Sequence, residues 1–302
     1  MNQAERRRFL IEKLLQERPS CRKQEIPQDV RRQKVLLRAL MNVRAPKERR
    51  TAMRIALAST LVKNGDTMFN IQTMTAQLEA LSGQADLVLF GESVLQGFDS
   101  LCWDYETDRC VAMTVSDATI CQLRACAKQN RIAVSFGFLE RDGEVIYSSQ
   151  LFIGADGEIV NVFRRVSIGW KAFRRTDAHY REGRRFERFC YHGKCFATAL
   201  CGDLWADGRP EEMYAIGADI VLWPVWCDYP PDDWNSRVKY EYARQAARCG
   251  TSVLFVNPFS ADADTAPDAA TGGSAYFQDG QIRMESPAGN PGILVVELGD
   301  KA

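Results

Sequence analysis

Long apolar runs are missing from this chain of 302 residues: no stretch approaches the roughly 18 consecutive apolar residues a membrane-spanning helix needs, so none is expected. Histidine is scarce. The two present, His179 and His192, stand in no recognisable Cys-His arrangement, which argues against a papain-like nucleophile pair. Neither a GxGxxG loop nor a P-loop occurs, which argues against a dinucleotide or nucleoside triphosphate as obligatory cofactor. Ten cysteines are present without a CxxC pair. The closest cluster, Cys190-Tyr-His192-Gly-Lys-Cys195, offers three ligands in an unusual spacing with no second pair nearby, so a structural zinc is not expected. The N-terminus, MNQAERRRFL, has no apolar stretch behind its charges. The expectation is a cytoplasmic protein whose cysteines are reduced and mostly buried as small hydrophobes.

Net charge is also lacking, with 39 basic and 39 acidic side chains, but the balance hides a segregation. Residues 1–50 hold 15 Lys or Arg against 6 Asp or Glu, and the remainder carries the opposite excess. In the basic part, Phe9, Leu10 and Leu14 recur at helical spacing, and after Pro19 and Pro27 so do Val30, Leu37, Leu40 and Met41. Two short helices are predicted, with Pro46 and residues 47–50 as a linker. The division expected is a basic helical extension over 1–50 and a single domain over 51–302. A positive arm can bind nucleic acid, but few aromatics accompany it; solvated amphipathic helices docked on the acidic body are the favoured reading, and no nucleic-acid or membrane partner is expected. Phe9-Leu-Ile-Glu-Lys-Leu-Leu-Gln-Glu-Arg18 and Leu36-Leu-Arg-Ala-Leu-Met-Asn-Val-Arg44 resemble the helical N-terminal extension of zinc-containing macrodomain hydrolases that act on ADP-ribosylated proteins. No macrodomain follows, so the resemblance implies at most a link to that pathway or a shared interaction module.

From residue 53 onward strand and helix signals alternate. Arg54–Leu61 reads as a strand, and Asp66 or Thr67 caps a helix with apolar positions Ile71, Met74, Leu78 and Leu81. The short apolar run Asp86–Phe90 predicts a strand covered on both faces. A helix capped at Ser116 or Asp117, a strand over Ile132–Phe138, and a hairpin of Gln150–Ile153 with Ile159–Phe163 follow. Strands at Phe196–Leu200, Asp219–Leu222 and Ser252–Asn257 alternate with helices near Pro210–Ile216 and Trp234–Arg248. A second hairpin at Ala275–Met284 and a last strand at Ile293–Leu298 complete an α/β order of mixed sheets covered by helices.

Cys201 stands directly after an apolar strand, where loops of α/β folds build sites, and its thiolate can attack a carbonyl or nitrile carbon. Glu92 follows a strand as well, behind Gly91, so its carboxylate can point into a cleft and serve as general base and later acid. Each has a plainer alternative, an inert buried thiol or a solvated carboxylate, and chemistry requires the two to meet. Trp170, Trp205, Trp223, Trp226 and Trp234 either shape a pocket or belong to the core. Asp203 either orients the loop around Cys201 or caps the next helix.

These pieces together resemble the nitrilase superfamily of carbon-nitrogen hydrolases: Leu87-Val-Leu-Phe-Gly-Glu92, Phe163-Arg-Arg165 after a hairpin, Ala199-Leu-Cys-Gly-Asp-Leu204 and Gly217-Ala-Asp-Ile-Val-Leu-Trp-Pro224 run in the family's order. The resemblance implies a four-layer αββα sandwich, a homodimer or larger homo-oligomer, and hydrolysis of a small amide, carbamoyl compound or nitrile through a cysteine thioester without cofactor or metal. It also implies Glu92 as base and Cys201 as nucleophile, with Arg165 at the position where the family has lysine. The family's second glutamate falls on Thr176. Arginine stabilises an oxyanion but gives up no proton near neutral pH. A catalytically impaired binding or scaffold protein is therefore the alternative, and Lys171 is a candidate replacement for the missing amine.

Overall fold

Strands of this chain that are buried along their whole length lie at the middle of sheets, and the edge strands are partly exposed. The structure is a computed structural model that describes residues 52–172, 174–261 and 268–299. The expected extension over residues 1–50 lies outside the described residues. Strand β1 (Met53–Ser59) continues into the two-residue β2 (Leu61–Val62), and helix α1 (Thr67–Leu81) leads to β3 (Leu87–Phe90). Helices α2 (Tyr105–Val111) and α3 (Ala118–Asn130) precede a meander of β4 (Ala133–Asp142), β5 (Val145–Ile153) and β6 (Ile159–Arg164). The second half holds β7 (Arg188–Tyr191), β8 (Lys194–Thr198), α4 (Arg209–Ile216) and β9 (Ile220–Pro224). A continuous helix follows, with a π-helical turn at Trp234–Val238 before α5 (Lys239–Ala247). The chain closes with β10 (Ser252–Val256), β11 (Phe259–Ser260), β12 (Ser274–Gln278), β13 (Gln281–Ser286) and β14 (Gly292–Leu298).

Two six-stranded sheets result, ordered β14-β1-β3-β4-β5-β6 and β13-β12-β10-β9-β8-β7. In each, three parallel strands are flanked by antiparallel ones: β1, β3 and β4 in the first, and β8, β9 and β10 in the second. Ile55, Leu57, Leu87 and Leu89 of the first sheet meet Phe196, Leu222, Leu254 and Val256 of the second in one buried cluster. The outer faces are covered separately. Ile71, Met74 and Leu78 of α1 and Ile120 and Leu123 of α3 pack on Val88, Phe90 and Val134. Met213 of α4 and Tyr242, Ala243 and Ala246 of α5 pack on Val221, Trp223 and Phe255. These layers are the αββα sandwich expected from the sequence. Asp66 caps α1 by accepting from the Phe69 N–H, which settles the choice of cap residue.

Parallel strands end together, so the loops at their C-terminal ends converge. Glu92 follows β3, Arg165 follows β6 and Cys201 follows β8. Between the sheets, β2 and β11 pair in parallel through Phe259↔Leu61 and Ser260↔Val62, tying the continuation of β1 to that of β10.

Candidate active site

Glu92 is fully buried although charged residues seldom are. Its backbone N–H donates to the Val225 carbonyl of the other sheet at 3.2 Å, and Ser93 behind it has a positive φ of 49°. Strand β4 lies against this turn at Gly137, where a Cβ would come within 2.6 Å of the Glu92 Cα. Only glycine permits that approach. The carboxylate is used unevenly: Oε1 accepts from Ser148 Oγ at 2.8 Å and from Arg165 Nη1 at 2.9 Å, while Oε2 is buried without a hydrogen-bond partner.

Arg164 and Arg165 are neighbours that point to opposite sides, as successive residues at a strand end do. Arg164 turns outward to Glu140 and Asp142; Arg165 turns inward and is almost wholly buried. Its Nε donates to Ser167 Oγ at 2.8 Å. Its Nη2 lies over Gly202, where an added Cβ would stand 2.8 Å away. Burial opposes the Arg165 charge, but Glu92, Cys201 and Asp203 together hold the guanidinium firmly protonated. Lys171 is engaged elsewhere: its Nζ donates to the Tyr180 carbonyl at 2.8 Å and pairs with Glu182 at 2.8 Å. Thr176, at the second-glutamate position, donates its hydroxyl to the Ala172 carbonyl at 3.3 Å.

Cys201 sits on a strained turn with φ 43°, half-buried, its carbonyl held by Trp223 Nε1 at 2.9 Å. Its Sγ lies 3.6 Å from the Trp226 carbonyl oxygen. The thiol is pulled below the ordinary range, chiefly by the neighbouring Cys227 side chain and then by the Arg165 charge; burial and Glu92 oppose the shift without cancelling it. Asp203 ties this turn to the arginine turn: Oδ1 accepts from the Val166 and Ser167 N–H groups at 3.0 and 2.8 Å, and Oδ2 from Leu200 N–H at 2.8 Å. It therefore orients the loop and closes the start of its own short helical turn, Cys201–Trp205, but does not cap the next helix, α4, which follows Gly208 without a side-chain cap.

The structure thus brings Glu92, Arg165 and Cys201 together, and leaves Lys171 in its own ion pair. Of the tryptophans, Trp170, Trp223, Trp226 and Trp234 are core residues and Trp205 is exposed. Cys190 and Cys195 face each other across the β7–β8 hairpin with sulfurs 2.8 Å apart. No group of three or more His, Cys, Asp or Glu among the described residues is arranged to hold a metal ion. A groove of about 820 Å³ bordered by Glu140, Arg164 and Arg184 includes none of the three site residues. Cys227 escaped sequence reading. It is 26 positions beyond Cys201 and reads as one more small core residue; the available signal is that each of two consecutive apolar strands is followed by a cysteine.

The family model for carbon-nitrogen hydrolases matches residues 36–299. Among curated proteins, an (R)-stereoselective amidase from Pseudomonas sp is 24% identical over 170 residues, 56% of this chain and 59% of that protein. The matched stretch thus spans less than two thirds of that relative. A protein-ADP-ribose hydrolase from Treponema medium is 59% identical over 46 residues, 15% of this chain and 18% of that one. Among solved structures, a mutant of an amidase from Nesterenkonia AN1, of the nitrilase superfamily, superposes with TM-score 0.67 at 21% identity, covering 83% of this chain and 92% of that one. With a family match over most of its length and the sandwich expected of it, the chain belongs to the carbon-nitrogen hydrolase family of the nitrilase superfamily.

Proposed function

We propose that the chain hydrolyses a non-peptide carbon-nitrogen bond in a small amide, carbamoyl compound or nitrile, with Cys201 as nucleophile, Glu92 as general base and Arg165 as the cation facing the oxyanion. The observation that supports this most is the divided use of the Glu92 carboxylate. One oxygen is clamped by Arg165 and Ser148, and the other is buried, unpartnered and free to take a proton. In the amide case the Cys201 proton passes to Glu92 and the sulfur bonds to the carbonyl carbon. The carbon-nitrogen bond then breaks as the leaving nitrogen takes that proton, and a thioester remains. Water gives a proton to Glu92 and attacks the thioester, releasing the acid and, with return of the proton, the thiol. Arg165 keeps its proton throughout and acts by charge alone on the tetrahedral oxygen. The amidase names of the Pseudomonas and Nesterenkonia relatives support an amide among the three substrate classes. This reading keeps the reaction in the cytoplasm, in a homodimer or larger homo-oligomer, with no cofactor.

A second reading, a catalytically impaired binding or scaffold protein, is favoured by Arg165 and Thr176 standing at two positions where the family has lysine and glutamate. Release of ammonia or amine from a panel of small amides, carbamoyl compounds and nitriles separates the two. The hydrolase reading expects turnover by wild type and a loss of at least about 10³-fold in Cys201→Ala. Turnover that survives in Cys201→Ala contradicts the nucleophile. Silence from wild type with release by Arg165→Lys supports the scaffold.

A further inference from the structure

Cys190 and Cys195 are held opposite each other in the β7–β8 hairpin. The hairpin closes on the two-residue turn His192-Gly193, with φ of 48° and 76°, a turn of the primed kind whose twist matches that of the strands. Tyr191↔Lys194 is the pair next to the turn, and Cys190↔Cys195 is the one behind it. Both backbone groups of Cys195 are engaged on the side away from β7: its N–H donates to Asp219 Oδ2 at 2.9 Å, and its carbonyl accepts from Asp219 N–H at 2.7 Å. The two cysteines are therefore a non-hydrogen-bonded pair, the kind in which facing side chains come closest. Cα atoms in such pairs stand about 4.5 Å apart, within the range a disulfide bridges. The sulfurs are 2.8 Å apart, one thiol donating to the other. Phe189 and Phe196, the following pair, turn into the inter-sheet core, so by alternation the thiols lie on the opposite face. Strand β7 is a sheet edge, and there Cys190 is exposed and Cys195 half-buried.

We propose that Cys190 and Cys195 are a reversible oxidation site, closing into a cross-strand disulfide by exchange with a small disulfide such as oxidised glutathione. The exposed Cys190 gives up its proton and its thiolate attacks one sulfur of the small disulfide, whose other half leaves as a thiolate and takes up a proton. Cys195 then loses its proton and attacks the Cys190 sulfur, and the second small thiol leaves with a proton in turn. Two protein thiols are oxidised and one small disulfide is reduced to two thiols, so atoms and electrons balance. The order follows from exposure and from the contact between the sulfurs: the Cys190 side chain holds the Cys195 thiol above its ordinary range, so Cys195 keeps its proton until the second step. Because the hairpin has already brought the sulfurs together, closing the loop costs little further entropy. Cys102, Cys110 and Cys121 are exposed as well, but their sulfurs face oxygen atoms of Asp108, Glu106 and Ser116. A mixed disulfide formed on one of them has no facing thiol of this kind to resolve it. The pair stands at the start of β8, and Cys201 lies beyond the far end of that strand, so the proposal does not depend on the hydrolase reading.

The test is titration of the reduced full-length protein with oxidised glutathione at fixed reduced glutathione, quenched with acid, alkylated with N-ethylmaleimide and read by peptide mass spectrometry. Wild type, Cys190→Ser and Cys195→Ser are compared. In wild type the segment holding Cys190 and Cys195 should lose two hydrogens and escape alkylation at both sulfurs, and excess reduced glutathione should restore both thiols. Cys110 and Cys121 should carry at most a glutathione adduct. In Cys195→Ser that adduct should persist on Cys190, and in Cys190→Ser the half-buried Cys195 should acquire it at least about tenfold more slowly. Folded wild type should be half oxidised at a concentration of oxidised glutathione at least about tenfold lower than the same protein in urea, because the hairpin raises the effective concentration of one thiol at the other. A Cys190 that carries glutathione in wild type without closing on Cys195 overturns the proposal. So does a pair that closes no more readily folded than in urea, or a disulfide that joins either residue to a different cysteine.

Discussion

Asp203 is buried in the interior yet accepts three backbone N–H bonds, from Val166, Ser167 and Leu200, and so joins the turn that carries Arg165 to the turn that carries Cys201. Burial raises its pKa to about 6 against the pull of Arg165 and those N–H groups. The folded protein therefore binds this proton more tightly than the unfolded chain. The stability that the proton contributes is complete below about pH 4 and is lost as pH rises through about 6. Asp203→Asn puts an amide donor against one of the N–H groups and should cost about 1–3 kcal/mol at pH 7. Because only the wild type takes up the proton, the cost should grow as pH falls from about 6 toward 4. Urea melts of both proteins across that window check it, and a constant difference contradicts it. Glu92, Arg165 and Cys201 were legible because each follows a strand in a recognisable local pattern. Ser148, the other donor to Glu92 Oε1, was not, because it reaches the carboxylate from inside a strand 56 positions along the chain.

At the scale of elements, the periodic stretches were readable and the weakly patterned ones were not. Helices α1 and α3 carry their apolar residues at three-to-four spacing, and both stand where the pattern put them. Helix α2 has seven residues, too few for a period to show, and its start rests on the Asp104 cap instead. The β4–β5 hairpin was read only in part: β4 runs on to Asp142 and β5 begins at Val145, around Gly143 with φ 61°. The missed signal is the Asp-Gly pair, which a tight hairpin turn favours. Where the two sheets meet, Leu222 of β9 is fully buried among side chains of both. Leu222→Ala removes apolar contact and leaves a cavity that close-packed strands cannot collapse, so a loss of about 2–5 kcal/mol is expected. Chemical denaturation measures it, and a loss below about 1 kcal/mol would show that the inter-sheet layer relaxes.

On the scale of the whole molecule, layer order was legible because α1, α3, α4 and α5 each bury one apolar face and the central strands have two. No helix among the described residues is long and apolar enough to cross a membrane. The likeness to a protein-ADP-ribose hydrolase, 59% identical but over only 46 residues, stands apart from the longer match to the amidase at 24% identity. The account as a whole stands on one covalent event at Cys201. Intact-protein mass spectrometry after exposure to the substrate panel reads that event directly. The predicted result is an acyl adduct, its added mass naming the substrate class, on wild type but neither on Cys201→Ala nor on Glu92→Gln, whose amide can neither take the thiol proton nor return it to the leaving nitrogen. An adduct that persists on Cys201→Ala, or turnover with no adduct trapped on any variant that retains Cys201, would contradict it.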